Sequence, residues 1–468
     1  MWVLIETATS AVFSLLSMLV IGRVIGPEAT GTGTIAMAIF LLLDLIAAAI
    51  FTDALVQYPR LEARHARSAV TGSVLVGVLT ALVLAGTAPA LARGSDAPQV
   101  LGLCLALAPL LPLSAYAGAA SGLALREHRF ALLSMRVLLG QPLALAVALV
   151  LAQRGYGPWA MVANQVIATV ASFLLLLVFG RPRLRPALDL AALRDLWPIA
   201  GPQIVAVVVM AGKYRIFLVA LGFVVAEAVV AVSHFAFRML DAALMMVWQS
   251  GTRIAMPRLC ALQADRHALA EAFGDMAQLQ ALLGMPIAVG VAMTAPDLVR
   301  ALLGPAWMAS AEAVRIVGFA ATLSFIHGDL TSLYVAIGKP RRNLQLALAS
   351  AVLPLAMLLL VRPSTVPGVA LCWAAPSLVM PPLIARMVLA EVGRPPLWLL
   401  RRIAPALLAT AAMAASVYAA QHTMRLSAFD MLLVSTALGV AVYLGVAWAA
   451  LGGRLPAALV RPSVPATL

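Results

Sequence analysis

Residues 34–56 read TIAMAIFLLLDLIAAAIFTDALV, a stretch charged only at Asp44 and Asp53. A helix needs about 20 mainly apolar residues to cross the hydrocarbon of a bilayer, and this segment has that length between a glycine-rich approach and Pro59-Arg60. Similar runs recur from Met1 almost to the C-terminus. The whole chain is 63% hydrophobic and 11% charged, with a mean hydropathy of +1.01, which lies outside the range of soluble globular domains. The fold class is therefore an all-α polytopic membrane protein.

Reading the apolar runs between Arg, Pro and Gly punctuation gives about fourteen transmembrane helices. Their approximate limits are 3–22, 34–56, 68–91, 99–122, 132–152, 158–179, 198–221, 228–251, 277–296, 311–336, 343–361, 366–388, 403–420 and 429–451. All connections are short, leaving no room for a soluble domain. The first run lacks a basic leader and a cleavage site, so it reads as a retained span.

The net charge of +13 is explained by topology. Arg60, Arg64 and Arg67, then Arg126, Arg129 and Arg136, then Arg181, Arg183, Arg185 and Arg194 fall in even-numbered loops. Arg253, Arg258 and Arg266, then Lys339, Arg341 and Arg342, then Arg386, Arg394, Arg401 and Arg402 continue the pattern, with Arg454 and Arg461 in the tail. Odd-numbered loops carry only single residues, such as Arg93 and Arg154. This alternation is what the positive-inside rule produces. It places both termini in the cytoplasm and makes the basic excess topogenic, with no nucleic-acid partner.

Working outward from the opening segment, residues 25–61 have a second copy at 221–259. Phe40-Leu-Leu-Leu-Asp44 matches Phe237-Arg-Met-Leu-Asp241, and Pro59-Arg-Leu61 matches Pro257-Arg-Leu259. Six spans separate the copies, so the halves share one orientation, as in transporters built from parallel repeats. The repeat divides the chain into an N-terminal lobe at 1–197, a C-terminal lobe at 198–400, and two extra helices with a short tail at 401–468.

An ionisable side chain in the hydrocarbon costs at least about 2.5–3.5 kcal/mol on insertion scales and marks a site by default. Lys213 and Arg215 sit in the seventh span, His234, Arg238 and Asp241 in the eighth, and Arg23 closes the first. Arg23, Lys213, Arg215 and Arg238 form a basic set suited to phosphate oxygens, although the first three also lie near span ends, where long side chains snorkel. Two roles fit Asp44 and Asp241: counter-charges for the arginines, or protonatable groups coupling an ion gradient, with Asp53 and His234 beside them. His327 and Asp329 bracket Gly328 and mark a second polar pocket, or Asp329 bonds a neighbouring hydroxyl. Cys104, Cys260 and Cys372 have neither metal-ligand nor paired spacing and read as buried hydrophobes. No GxxxxGK[ST], HExxH or GxSxG occurs, so neither catalytic residue, metal nor cofactor is expected.

At these residues the chain resembles a known family. Arg23-Val-Ile-Gly-Pro-Glu-Ala-Thr-Gly31 and Asp53-Ala-Leu-Val-Gln57 are similar to the opening of the polysaccharide flippases of the multidrug/oligosaccharidyl-lipid/polysaccharide (MOP) exporter superfamily. Further matches follow in order: His234-Phe-Ala-Phe-Arg238, Ala255-Met-Pro-Arg-Leu259, Leu302-Leu-Gly-Pro-Ala-Trp307 with Ala311, and Tyr334-Val-Ala-Ile-Gly-Lys-Pro340. The resemblance covers roughly residues 10–390, and the order of the motifs on the spans carries it. It implies two parallel six-helix lobes in a V around a cationic cavity, plus two C-terminal helices. The cargo it implies is an undecaprenyl-diphosphate-linked oligosaccharide for exopolysaccharide, O-antigen or capsule, moved across the bacterial inner membrane by alternating access. Basic residues at the positions of Arg23 and of the seventh and eighth spans would hold the diphosphate, and the last two helices would border the lipid tail. A polysaccharide polymerase and export machinery are the protein partners such a role implies. Lys213-Tyr-Arg215 stands where the family often has an aspartate, so an ion-coupling role for that span does not carry over. The alternative within the superfamily is a small-molecule or drug antiporter, which would favour acidic and aromatic cavity residues. A membrane glycan polymerase or ligase would need a larger outer loop than any here.

Overall fold

The computed structural model describes residues 2–180, 186–454, 456 and 458. Arg181, Arg183, Arg185 and Arg461 of the basic series lie outside the described residues, as does the side chain of Arg253. Sixteen α-helices occur in the order α1 (Trp2–Ala49), α2 (Thr52–Gln57), α3 (Ala63–Gly94), α4 (Gln99–Leu107), α5 (Leu110–Arg126), α6 (Phe130–Gln153), α7 (Trp159–Phe179), α8 (Leu190–Gly222), α9 (Glu227–Ala261), α10 (Arg266–Leu302), α11 (Ala309–Leu323), α12 (Leu330–Ala336), α13 (Pro340–Val361), α14 (Val366–Val392), α15 (Pro396–Thr423) and α16 (Ala428–Ala450). Among the described residues there is no β-strand.

Among the described residues, twelve helical segments are long and apolar enough to cross a membrane. The first is two spans joined at Gly26, whose φ of 80° and ψ of 172° break the helix just before Pro27. Glycine tolerates that left-handed φ, and proline cannot donate to the preceding turn. The tenth span is also broken: α11 stops at Leu323 and the chain re-enters helix at Leu330. Counting both breaks restores the fourteen spans read from the sequence. The fourth span is interrupted near Pro109, between α4 and α5. Large exposed side chains such as Leu79, Leu82, Val178 and Leu360 suit helices whose outer faces meet lipid, because each helix satisfies its own backbone there.

The chain forms two compact units, residues 1–231 and 232–468, with the boundary inside α9. In the first unit α8 packs on α1, α2 and α3, while α6 and α7 pair beside α1 and α5. Phe51, Leu55, Leu196 and Ala200 form one of its cores. The Arg126 side chain ties α5 to α2: its guanidinium donates to the carbonyls of Leu55, Val56, Tyr58 and Pro59 at 3.0, 3.1, 2.6 and 3.2 Å. These are carbonyls at the end of α2, which has no following turn to accept from.

Close approach of α5 to α1 depends on Gly118. A Cβ there would collide with the backbone carbonyl of Ala48, and the carbonyl cannot rotate away as a side chain would. Overpacking of this kind costs about 1–3 kcal/mol. Gly118→Val is expected to lower the thermal midpoint of the detergent-purified protein; an unchanged midpoint would show that α5 can recede freely.

In the second unit α10 is the central element, packed against α11, α14, α15 and α16. Phe273, Met276, Leu333, Val388 and Leu399 are buried in a core of this unit. The last two helices join this unit directly: Tyr443 Oη donates to the Leu282 carbonyl at 2.6 Å, and Gln421 Nε2 to the Met293 carbonyl at 3.0 Å. The repeated phenylalanines, Phe40 and Phe237, are both fully buried, one in each unit.

Candidate functional site

The opening stretch of sequence forms one wall of a cavity of about 490 Å³ inside the first unit. Asp44 reaches it from α1, Asp53 from α2, Arg136 from α6 and Arg215 from α8. The Asp44 carboxylate lies beside Ser114 in the cavity lining and in the field of the Arg215 guanidinium. Asp53 accepts from Gln203 Nε2 at 2.6 Å. The break between α1 and α2 allows both aspartates to reach one space. At that break the Thr52 hydroxyl donates back to the Ala48 carbonyl at 2.7 Å.

Arg136 corrects the sequence reading. The charge pattern places it among the loop arginines, yet it lies inside α6 and is half-buried. Its guanidinium donates to Ser121 Oγ at 3.0 Å and to Ser172 Oγ at 3.4 Å, and pairs with Glu6 of α1 at 3.4 Å. A guanidinium in this position needs a carboxylate and hydroxyls around it to offset lost hydration. Sequence inspection passed over Glu6, although a glutamate in a first span is itself the signal of a buried partner. Gln141 and Gln165 also line the cavity, and Gln165 Nε2 donates to Thr169 Oγ1 at 3.0 Å. Neutral amides carry no alarm in a charge count, which is why they were missed.

The basic set is therefore divided. Arg215 lines the cavity of the first unit, while Arg23 and Lys213 are exposed on the same unit. Lys213 and Arg215 are two residues apart and so occupy different faces of α8. Arg238 and His234 are half-buried on α9 in the second unit, and Asp241 is exposed one turn beyond. His327 is buried, with its Nδ1 3.0 Å from the Gly328 carbonyl oxygen. Asp329 caps α12: its carboxylate accepts from the Ser332 backbone N–H at 3.1 Å and the Ser332 hydroxyl at 2.6 Å. That is the hydroxyl bonding the sequence offered as one of two options.

A separate charge cluster occupies one end of the second unit. Asp275 is fully buried on α10 and pairs with Arg258 at 3.7 Å and with Arg402. Glu271, one turn earlier, pairs with Arg402 and with Arg394 at 2.9 Å. The ring of Trp398 lies 5.6 Å from the Arg394 guanidinium and 5.4 Å from that of Arg402, within cation–π range. Among the described residues, no group of three or more His, Cys, Asp or Glu side chains is placed to hold a metal ion.

Comparison with known proteins places this architecture. A family model described as polysaccharide biosynthesis protein matches residues 20–312. The succinoglycan biosynthesis transport protein ExoT of Rhizobium meliloti (strain 1021) is 23% identical over 292 residues, which is 62% of this chain and 58% of that protein. The chain thus aligns with less than two thirds of that relative's length. Among solved structures, the fold is similar to the lipid II flippase MurJ in an inward closed conformation, with a TM-score of 0.73 and 12% identity over 95% of this chain and 98% of that one. It is also similar to a multidrug resistance MATE family transporter of the MOP superfamily in an inward-facing conformation, with a TM-score of 0.67 and 12% identity over 82% of this chain and 94% of that one. At such identities the likenesses establish a shared fold.

Proposed function

Because the chain belongs to the polysaccharide biosynthesis protein family, we propose that it is a flippase for a polyprenyl-diphosphate-linked oligosaccharide. It would carry this lipid from the cytoplasmic to the periplasmic leaflet of the bacterial inner membrane, with both of its own termini in the cytoplasm. The glycan would serve exopolysaccharide, O-antigen or capsule synthesis, handed on to a polymerase and export machinery. The observation that supports this most is the joining of a sugar-polymer family match to a fold shared, over 95% of the chain, with a lipid flippase. A glycan attached to a lipid is the cargo that satisfies both.

Alternating access requires two lobes that move against each other. The sequence repeat assigns these to 1–197 and 198–400, with 401–468 as the added pair. Arg23, Lys213, Arg215 and Arg238 serve the diphosphate, whose oxygens accept charge-assisted hydrogen bonds from guanidinium and ammonium groups. Asp44, Asp53, Asp241 and His234 balance these cations or carry a coupled ion. The protein acts as a transporter with no catalytic residue of its own.

Deleting the gene tests this reading. Lipid-linked oligosaccharide is expected to accumulate in the inner membrane, on the cytoplasmic leaflet in spheroplast labelling, with loss of surface polysaccharide. Normal lipid-linked glycan together with heightened drug sensitivity would overturn it in favour of the antiporter.

A further inference from the structure

The cavity of the first unit has a chemistry that limits what it can take. Its lining carries acidic and basic side chains in equal number, Asp44 and Asp53 with Arg136 and Arg215. A small inorganic cation entering it would meet two guanidiniums, and an anion would meet two carboxylates. No aromatic ring lines the cavity, so an organic cation finds no cation–π surface. The rest of the lining is dense in neutral hydrogen-bonding groups: the hydroxyls of Thr52, Ser114, Ser121, Thr169 and Ser172, and the amides of Gln141 and Gln165. Carboxylates only accept and guanidiniums only donate, while hydroxyls and amides do both. A neutral polyol, each of whose hydroxyls donates and accepts, is the ligand complementary to such an array.

The volume of about 490 Å³ lies within the ~300–1,000 Å³ range of small-molecule sites. The small side chains Ala48, Ala117 and Ala168 keep it open.

We propose that this cavity is a subsite for a sugar residue of the transported glycan, recognised through its hydroxyls by Asp44, Arg136, Gln141 and Gln165. The inference rests on the flippase reading and deepens it: the basic residues hold the diphosphate, and this cavity reads the sugar.

The test uses the full chain purified in detergent and two probes. One is the oligosaccharide released by mild acid from the lipid fraction of cells lacking the protein; the other is undecaprenyl diphosphate bearing no sugar. Wild-type protein is expected to bind the free oligosaccharide, read as a saturable rise in thermal midpoint. Ala168→Phe, which fills the cavity, and Gln165→Leu, which removes one polar wall, are expected to weaken that binding by about tenfold or more, the equivalent of one good hydrogen bond. Both variants should give a single cooperative thermal transition, which shows that they are folded, and Gln165→Leu should bind sugar-free undecaprenyl diphosphate as the wild type does. No oligosaccharide binding by the wild type, or equal binding by Ala168→Phe and Gln165→Leu, overturns the subsite and means that the cavity holds water alone. Sugar binding without diphosphate binding would keep the subsite and sink the flippase reading, so the two failures are distinguishable.

Discussion

Arg402→Met is expected to destabilise the second unit by about 3–5 kcal/mol, the usual consequence of removing one partner from a buried ion pair. Asp275 is fully buried, and loss of Arg402 removes the shorter of its contacts with Arg402 and Arg258, the latter at 3.7 Å. Glu271 would keep only Arg394. The loss includes packing, because the Arg402 guanidinium also sits 5.4 Å from the Trp398 ring, and Trp398 in turn covers Gly274. Thermal unfolding in detergent measures the total. The mechanism has a sharper signature in the double variant Asp275→Leu with Arg402→Met, which removes the stranded carboxylate as well as its partner. Replacing a buried pair by apolar groups is often neutral, so the double variant should recover much of the loss; a double variant no more stable than Arg402→Met alone would refute the pairing as the cause. Because α15 carries Arg402 near its start, the single variant should also raise hydrogen exchange in α15 before it does so in α11 or α14.

That cluster illustrates what could be read from the chain and what could not. Span length and hydropathy are local properties, so Gly26-Pro27 announces a break and residues 34–56 announce a helix without help from tertiary structure. The buried partners are non-local. Glu6 and Arg136 are 130 residues apart, and Asp275 and Arg402 are 127 apart. No spacing rule links them, and the arginines had a sufficient explanation in the positive-inside pattern. Arg126 and Arg258 show that a topogenic arginine also does structural work: one caps α2, and the other holds Asp275 and reaches the Ala458 carbonyl at 3.4 Å. The aspartates were legible because a charge inside an apolar run is conspicuous. Gln141 and Gln165 were not, because an amide is inexpensive in a span and becomes informative only when several converge. The cavity exists because α1 ends at Ala49 and α2 begins at Thr52, a break that hydropathy does not reveal.

Lys213→Ala and Arg215→Ala are expected to separate two roles that the sequence left joined. Lys213 is exposed on α8, and its loss should remove one charge-assisted hydrogen bond to the diphosphate. Such bonds are worth about 1.5–3 kcal/mol, and 2 kcal/mol corresponds to about thirtyfold in rate. Translocation of lipid-linked oligosaccharide in reconstituted vesicles should fall by that order, measured at equal amounts of folded protein. Arg215 lines the cavity beside Asp44, so Arg215→Ala should lower the midpoint as well as the rate, and Asp44→Asn in the same chain should restore part of the midpoint without restoring the rate. Arg238→Lys gives a third signature. It keeps the charge but loses the planar fork, so a bidentate phosphate contact would be halved, and the rate should fall between those of wild type and Arg238→Ala. Equal rates for Arg238→Lys and wild type would mean that position 238 supplies charge alone. Wild-type rates in both Lys213→Ala and Arg238→Ala, at normal membrane levels, would remove these residues from the path of the diphosphate.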